Sequence, residues 1–348
     1  MIAKLRILRS PSARGRWAAL AALGVLVAIL AAACGDDDDR IDIIPPPGSP
    51  TATATATIPT EPTIEPTELR IAYINLMSPL TLNATDTAPS DTFDVRLAMV
   101  IDELKQFKPD VVAFSEVTDT PEHGRVKSVL AKELLMQPFY VRAKPWYAGT
   151  TKEQADEIIR SAGFEEGELI LINGTRFPNP DGEQRWLNPR TSDGEAAAAL
   201  WVRLNGPPSV GSIDVFVTHL TGIDSRVRAQ QAADFAAFYK ERRGEGQAFV
   251  LGDMGDPPDS PTHQVFIDLG LYDLFAGSGL ATCCRESVVG EQPPPASRTD
   301  YIFDTGWSPV QLDVFGAIPK TTESGERVYA SDHNGIKAVF PIGADPGP

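Results

Sequence analysis

The stretch Phe249-Val250-Leu251-Gly252-Asp253-Met254-Gly255-Asp256-Pro257-Pro258 constrains this chain more than any other. Three apolar residues read as the end of a buried strand. Gly252 breaks that strand, two carboxylates follow, and the two prolines forbid it to continue. A carboxylate thrown off a strand end is where α/β proteins usually place chemistry. Taken alone, the segment reads as an ordinary acidic turn. The rest of the chain changes that reading.

The same pattern recurs along the sequence. Leu69 to Met77 alternates apolar and other residues, reads as a first strand, and carries Asn75 near its end. Asp94 to Lys108 places Leu97, Val100, Ile101, Leu104 and Phe107 on one helical face, and Pro109 ends it. Val111 to Val117 is apolar enough to be a strand buried on both faces, with Glu116 as the outlier. Arg125 to Met136 and Lys152 to Phe164 read as helices, Leu169 to Ile172 as a short strand, and 177–194 as loop. Ala196 to Leu204 and Ile213 to Leu220 read as a strand pair, the second carrying His219 near its end. Asp224 to Arg243 is the longest predicted helix, with Asp224 or Ser225 as N-cap and Gly244 closing it. A helix over 260–269, a long loop over 276–298, and strands at 299–303, 310–315 and 336–340 complete the chain. Strands and helices mix without internal repeat, which predicts layered sheets with helices outside.

The N-terminus is different in kind. Residues 1–16 hold five basic side chains (Lys4, Arg6, Arg9, Arg14, Arg16) and no acidic one, and Trp17 to Ala33 is an unbroken apolar and small-residue run before Cys34. This describes a secretory signal over 1–33. The run Leu30-Ala31-Ala32-Ala33-Cys34 resembles a bacterial lipoprotein signal, which implies lipidation of Cys34 and an anchor in the membrane from outside the cell. An uncleaved transmembrane helix is the other reading, and seventeen residues is short for it. Residues 34–67, with four consecutive aspartates and a Pro/Thr-rich run, have too little apolar surface to offset the entropy of ordering. They read as a stalk reaching at most roughly 100 Å at about 3.1 Å per residue. Residues 68–348 suit one large domain.

The net charge is −16, or −21 once residues 1–33 are removed. Such a surface argues against tight binding to a nucleic-acid backbone. Beyond Cys34 the only cysteines are Cys283 and Cys284, which are adjacent and lack the spacing of a zinc site. They receive no role from the sequence.

The polar residues at strand ends are Asn75, Glu116, His219, Asp253, Asp300, Asp332 and His333. Hard oxygen donors suit Mg²⁺ or Mn²⁺ better than zinc, and an imidazole paired with a carboxylate suits activation of water. Asn75 after the first strand, Ser115-Glu116-Val117, Val217-Thr218-His219-Leu220, Leu251-Gly252-Asp253, Arg298-Thr299-Asp300-Tyr301-Ile302-Phe303 and Ser331-Asp332-His333 resemble, in order, the motifs of the DNase I-like endonuclease/exonuclease/phosphatase superfamily. The resemblance spans Leu69 to Phe340. It implies a four-layer α/β/β/α sandwich of two packed mixed sheets, and hydrolysis of a phosphodiester or phosphomonoester with Mg²⁺, or with Mn²⁺ or Ca²⁺ in its place. Carried over by position, Glu116 is the principal metal ligand, helped by Asn75 and Asp332. Asp253 lies by the attacking water, His333 oriented by Asp300 is the general base, and His219 hydrogen-bonds the phosphate.

One position departs from the pattern. The superfamily has Gly-Asp-x-Asn where this chain has Gly252-Asp253-Met254-Gly255. Gly255 lacks the amide donor, and Asp256 beside it would repel phosphate unless it bound metal. An active phosphoesterase and a catalytically silent binding protein on the same scaffold therefore both stand at this point. The substrate is open among nucleic acid, phospholipid head groups, nucleotides and sugar phosphates. Trp146, Tyr147 and the 276–298 loop are candidates to line its pocket.

Overall fold

The structure, a computed structural model, describes residues 67–80, 92–145, 149–190, 197–206 and 211–342. The first sheet holds β1 (Glu68–Asn75), β2 (Val111–Asp119), β3 (Gln137–Lys144) and β4 (Glu165–Ile172). The second holds β5 (Asp181–Trp186), β6 (Ala198–Asn205), β7 (Ser212–His219), β8 (Gln247–Asp253), β9 (Tyr272–Asp273) and β10 (Asp300–Asp304). The chain then returns to the first sheet with β11 (Gln311–Phe315), makes a small hairpin of β12 (Lys320–Thr321) and β13 (Arg327–Val328), and closes the first sheet with β14 (Gly335–Pro341). The sheet orders are β11-β14-β1-β2-β4-β3 and β5-β6-β7-β8-β10-β9. Among the described residues five helices accompany them: α1 (Phe93–Phe107), α2 (Val126–Leu134), α3 (Lys152–Ala162), α4 (Ser225–Arg242) and α5 (Pro261–Asp268). Among the described residues no helix is long and apolar enough to cross a membrane. Cys34, Trp146 and Tyr147 lie outside the described residues.

Alternation in the strands produces the layers. Ile71, Ala113 and Ile170 of the first sheet and Val215, Phe249, Leu251 and Ile302 of the second point inward into one shared core. The opposite face of the first sheet (Ala72, Val112, Phe114, Leu171) buries Leu97, Val100 and Leu104 of α1 and Val126 and Leu130 of α2. The opposite face of the second sheet (Phe216, Val250, Phe303) buries Phe235 and Phe238 of α4 and Phe266 of α5. Each fully buried side chain of this size contributes about 1.5–3 kcal/mol. The result is the α/β/β/α sandwich that the sequence implied.

Among the described residues each six-stranded sheet has one parallel pair, β1 with β2 and β7 with β8. Parallel pairing brings strand C-termini side by side, so Asn75 lies opposite Ser115 and His219 opposite Asp253. Antiparallel β10 starts where β8 ends, and Asp300 lies opposite Asp253. Two sheets stacked with these ends together converge their polar residues on one rim.

Several elements differ from expectation. β3 lies in a stretch to which the sequence reading assigns no element, and β5 lies in the stretch it reads as loop. Pro138 and three charged or amide residues hide the alternation of β3, and β5 is a polar edge strand with no apolar face before Trp186. β4 begins four residues earlier than expected, at Glu165. Asp224 caps α4 as expected, accepting from the Arg226 and Val227 amides, but the helix ends at Arg243 in extended conformation, without a left-handed glycine.

Candidate active site

All seven residues singled out at strand ends lie on this rim. Asn75, Asp253, Asp300 and His333 are buried, while Glu116, His219 and Asp332 are half-buried and form its solvent face.

Glu116 owes its position to a break in β2. The pairing of β2 with β4 slips between Phe114 and Val117, and Glu116 has φ +57°. This is a β-bulge with a non-glycine residue in the left-handed region, a conformation that a bulky side chain adopts only when its surroundings hold it. They do: Glu116 Oε1 accepts from Asn75 Nδ2 at 3.0 Å and Oε2 from the Ser78 amide at 2.8 Å.

Asn75 joins the two sheets. Its Nδ2 also donates to Asp253 Oδ2 at 3.2 Å, and its Oδ1 is turned back to accept from the Met77 amide at 3.0 Å. An amide oxygen has two lone pairs, so accepting from Met77 leaves Oδ1 one for the ligand role that the resemblance gives Asn75, while Nδ2 positions the two acids. Asp253 Oδ1 accepts from the Gly255 amide at 2.9 Å. Its Oδ2 lies 3.7 Å from Nε2 of both His219 and His333. Behind His333, Asp300 Oδ2 faces Nδ1 at 2.8 Å, which fixes the ring with Nε2 toward the rim. Ser331, part of the last motif but given no role by the sequence reading, ties the last turn in place. Its Oγ donates to the Asn75 carbonyl at 2.7 Å and accepts from the His333 amide at 3.1 Å.

The electrostatics are lopsided. Among the described residues, the ion-pair partners of Asp253 and Asp300 are imidazoles only. Burial alone would raise Asp253, but His333, His219, the Gly255 amide and Asn75 outweigh it and hold the carboxyl below its ordinary range. Burial raises Asp300, aided by the charge of Asp253 and opposed by His333. Burial raises Asp332 as well, with the charge of Glu116 adding to it against the pull of His333. Burial disfavours a charged His333, yet Asp300, Asp332 and Asp253 together lift it well above the usual histidine value. Four acids thus share one rim with two imidazoles, an arrangement that a divalent cation would relieve.

Among the described residues two sets of rim side chains could hold that cation. Ligand atoms of Asp253, Asp300 and His333 lie within 4.8 Å of one another. A cation there would have to displace the 2.8 Å bond between Asp300 and His333. Glu116 and Asp332 are near enough for the charge of one to raise the other; as ligands they would leave that bond intact, and their hard oxygens fit Mg²⁺, Mn²⁺ or Ca²⁺.

Asp256 does neither thing that the sequence left open. Arg228 Nη2 holds its Oδ1 at 2.5 Å and Thr262 donates to its Oδ2 at 2.6 Å, so its charge is spent away from the rim. Arg228 also donates to the carbonyls of Thr221 and Gly222, joining the loops that follow His219 and Asp253. A Cβ at Gly255 (φ +64°) would meet Arg228 Cδ at 3.0 Å, so the arginine stem occupies space beside the missing side chain. The 276–298 loop does line a cavity of about 370 Å³ with Pro257, His263 and Arg298, but none of the seven rim residues borders it.

The Endonuclease/Exonuclease/phosphatase family matches residues 82–333 of this sequence. The chain belongs to that family. Its members are typically hydrolases of phosphoesters that use a divalent metal. Similar solved structures include an endonuclease/exonuclease/phosphatase family protein from Bacteroides thetaiotaomicron, 17% identical, with TM-score 0.59 over 80% of this chain and 99% of that one. A mannosyl-6-phosphatase from the same organism is 18% identical, with TM-score 0.57 over 78% and 98%. The catalytic domain of human nocturnin with bound sulfate is 18% identical, with TM-score 0.53 over 79% and 93%. At these identities the likeness speaks for the fold. No curated protein sequence matches the chain.

Proposed function

We propose that this family member is an extracytoplasmic, divalent-metal-dependent phosphoesterase, tethered to the membrane through lipidated Cys34 and held off it by residues 34–67. The observation that carries the hydrolytic reading is the convergence of four acids and two imidazoles on a rim where the ends of both sheets meet. Glu116 and Asp332 hold the metal, preferably Mg²⁺, and Asn75 keeps Glu116 and Asp253 in place. The bound cation supplies positive charge to phosphoryl oxygens and a template for in-line attack.

The remaining work belongs to the chain itself. Asp253, anionic and flanked by two imidazoles, orients the attacking water. His333 Nε2 faces the same point, and Asp300 fixes its tautomer, so proton transfer from water is assigned to His333. Asp332 is one of the acids that raise His333. Neutralising Asp332 therefore lowers the imidazole toward the range where Nε2 accepts a proton. His219, half-open to solvent, donates to the phosphate and steadies its charge as the bond breaks.

The acidic surface favours a small phosphoester over a nucleic-acid strand. With Asp256 held by Arg228, the loop after Asp253 does not turn a free carboxylate on the substrate, which favours an active site over a silent one.

The test is hydrolysis by residues 68–348 with Mg²⁺, Mn²⁺, Ca²⁺ or EDTA on DNA, RNA, a lipid phosphodiester and small phosphomonoesters, beside His333→Ala. Metal-dependent turnover that disappears in the variant is expected. Metal binding with no turnover on any substrate would leave the silent binding protein standing. Export is checked separately by recovery of lipid-modified Cys34 in a membrane fraction.

A further inference from the structure

The 276–298 loop brings a pair of cysteines to the edge of the rim, and hydrolysis makes no use of them. Cys283 and Cys284 are disulfide-bonded to each other. Cys283 is buried and Cys284 is exposed, with its Sγ 3.6 Å from His333 Nε2. The backbone on both sides is pinned independently of the sulfurs. Cys283 exchanges amide and carbonyl bonds with Ser297 at 2.9 and 3.0 Å, and the Arg285 amide donates to the Asp332 carbonyl at 2.9 Å. Arg285 Nη1 also donates to the Ser331 carbonyl at 3.2 Å and Nη2 to Asn334 Oδ1 at 2.5 Å. Breaking the disulfide therefore leaves both sulfurs beside the imidazole.

The donor atoms of Cys283, Cys284 and His333 lie within 4.8 Å of one another. Two thiolates and an imidazole form a soft set that prefers Zn²⁺ or Cd²⁺, in contrast to the hard oxygens of Glu116 and Asp332. Asp300 on Nδ1 leaves Nε2 as the nitrogen aimed at the sulfurs, and a carboxylate behind a histidine is the usual support of a metal-binding imidazole.

We propose that, once the disulfide is reduced, Cys283, Cys284 and His333 bind a thiophilic divalent cation, and that its binding withdraws His333 Nε2 from the hydrolytic site. The second half rests on the phosphoesterase reading, and the first does not. A small-molecule thiol can supply the reduction. Its thiolate attacks the exposed Cys284 sulfur, the S–S bond breaks, and Cys283 leaves as thiolate. A second thiolate displaces the mixed disulfide, leaving Cys284 as thiolate and the external thiols joined as a disulfide. The protein pair gains two electrons and the external pair loses two. Cation binding then displaces to water the protons the two thiols would carry.

The experiment uses the full chain with Cys34→Ser, so that the pair supplies every thiol. The protein is kept oxidised, or reduced with a phosphine, which takes oxygen from water and passes two protons to the sulfurs. Each form is titrated with Zn²⁺ and Cd²⁺ in excess Mg²⁺ and followed by the ultraviolet thiolate-to-metal band and chelator competition. One equivalent bound to the reduced form, with the band present, and no such band in the oxidised form is the expected result. Asp300→Asn should weaken that binding by about 10–100-fold. No stoichiometric thiolate band on reduction, or equal affinity in a Cys283→Ser, Cys284→Ser double variant, overturns the site.

Hydrolysis is read in the same samples. One equivalent of Zn²⁺ should lower turnover of the reduced form by on the order of 10²-fold. A zinc chelator should restore it, and the double variant should not respond. Binding without loss of turnover would overturn the withdrawal of His333. If no form hydrolyses any substrate, the phosphoesterase reading fails while the binding arm still decides the cation site.

Discussion

Two buried aspartate–histidine pairs sit on neighbouring strands of the second sheet, and they do opposite things. At β9, His263 Nε2 lies 3.2 Å from Asp273 Oδ2, and Arg298 grips the same carboxylate with two bonds of 2.8 and 2.6 Å. Burial would raise Asp273, but His263 and Arg298 outweigh it and the carboxyl is lowered. At β10, Asp300 has His333 for its ion-pair partner among the described residues, and its carboxyl is raised. The acid and the imidazole are the same in both places. What differs is whether the protein supplies its own cation. A pair with an arginine is finished, whereas a pair surrounded by more acids is a place for something the chain does not carry.

The largest predicted effect separates the two imidazoles. His333→Ala should lower kcat/KM by about 10²–10⁴-fold. His263→Ala should leave kcat/KM within a few-fold and reduce stability by about 1–3 kcal/mol. Steady-state kinetics beside urea unfolding checks both, and equal kinetic losses would erase the distinction.

Next comes the cation. Arg298→Met strands a buried carboxylate and should cost about 3–5 kcal/mol in urea unfolding. A third acid sharpens the same point. Asp304, at the far end of β10, is buried with Oδ1 unpartnered, and burial pushes its carboxyl up to about 6. Its folded value lies above its unfolded value, so its contribution to stability is full below about pH 4 and is lost as pH rises through about 6. Asp273 has the reverse sign, contributing above its unfolded value and losing that as pH falls. Asp304→Asn should therefore flatten the decline between about pH 4 and 6 and stabilise the protein at neutral pH by about 2 kcal/mol. A stability profile unchanged by the substitution would show that Asp304 is not the group responsible.

The smallest effect concerns Asp256, which belongs with Asp273 because Arg228 holds it. Gly255→Asn restores the side chain the family pattern has there. Asparagine tolerates a left-handed backbone, but the new Cβ presses on Arg228 at 3.0 Å, so a stability loss of about 1 kcal/mol is expected. A gain in turnover at that cost would identify the missing amide as a rate-limiting absence.

The rim was legible in the sequence because each of its residues interrupts a period. Glu116 and Asp253 break apolar runs, and His219 ends one. Asn75 and Ser331 were harder, since their work is to hold other groups by bonds across 41 and 256 residues of chain. Cys284 gave no signal at all, because its partner in the fold, His333, is 49 residues away. β3 and β5 stayed hidden for a different reason: pairing with β4 and β6 creates them, and their own side chains scarcely alternate.

The bulge in β2 has a consequence for how fold and chemistry can be separated. From Val111 to Phe114, odd-numbered side chains enter the core between the sheets and even-numbered ones face α1 and α2. Val117, odd-numbered, lies on the helix side, so the strand changes phase at the bulge. On β4, Leu169 and Gly167 are two steps apart, while their partners Phe114 and Val117 are three. Glu116 is therefore a surplus residue, and the two strands would pair evenly without it. Excising that single position should close the ladder and leave every apolar neighbour on its present face. The sandwich is complete without its acid, and a one-residue deletion is the change that would show it.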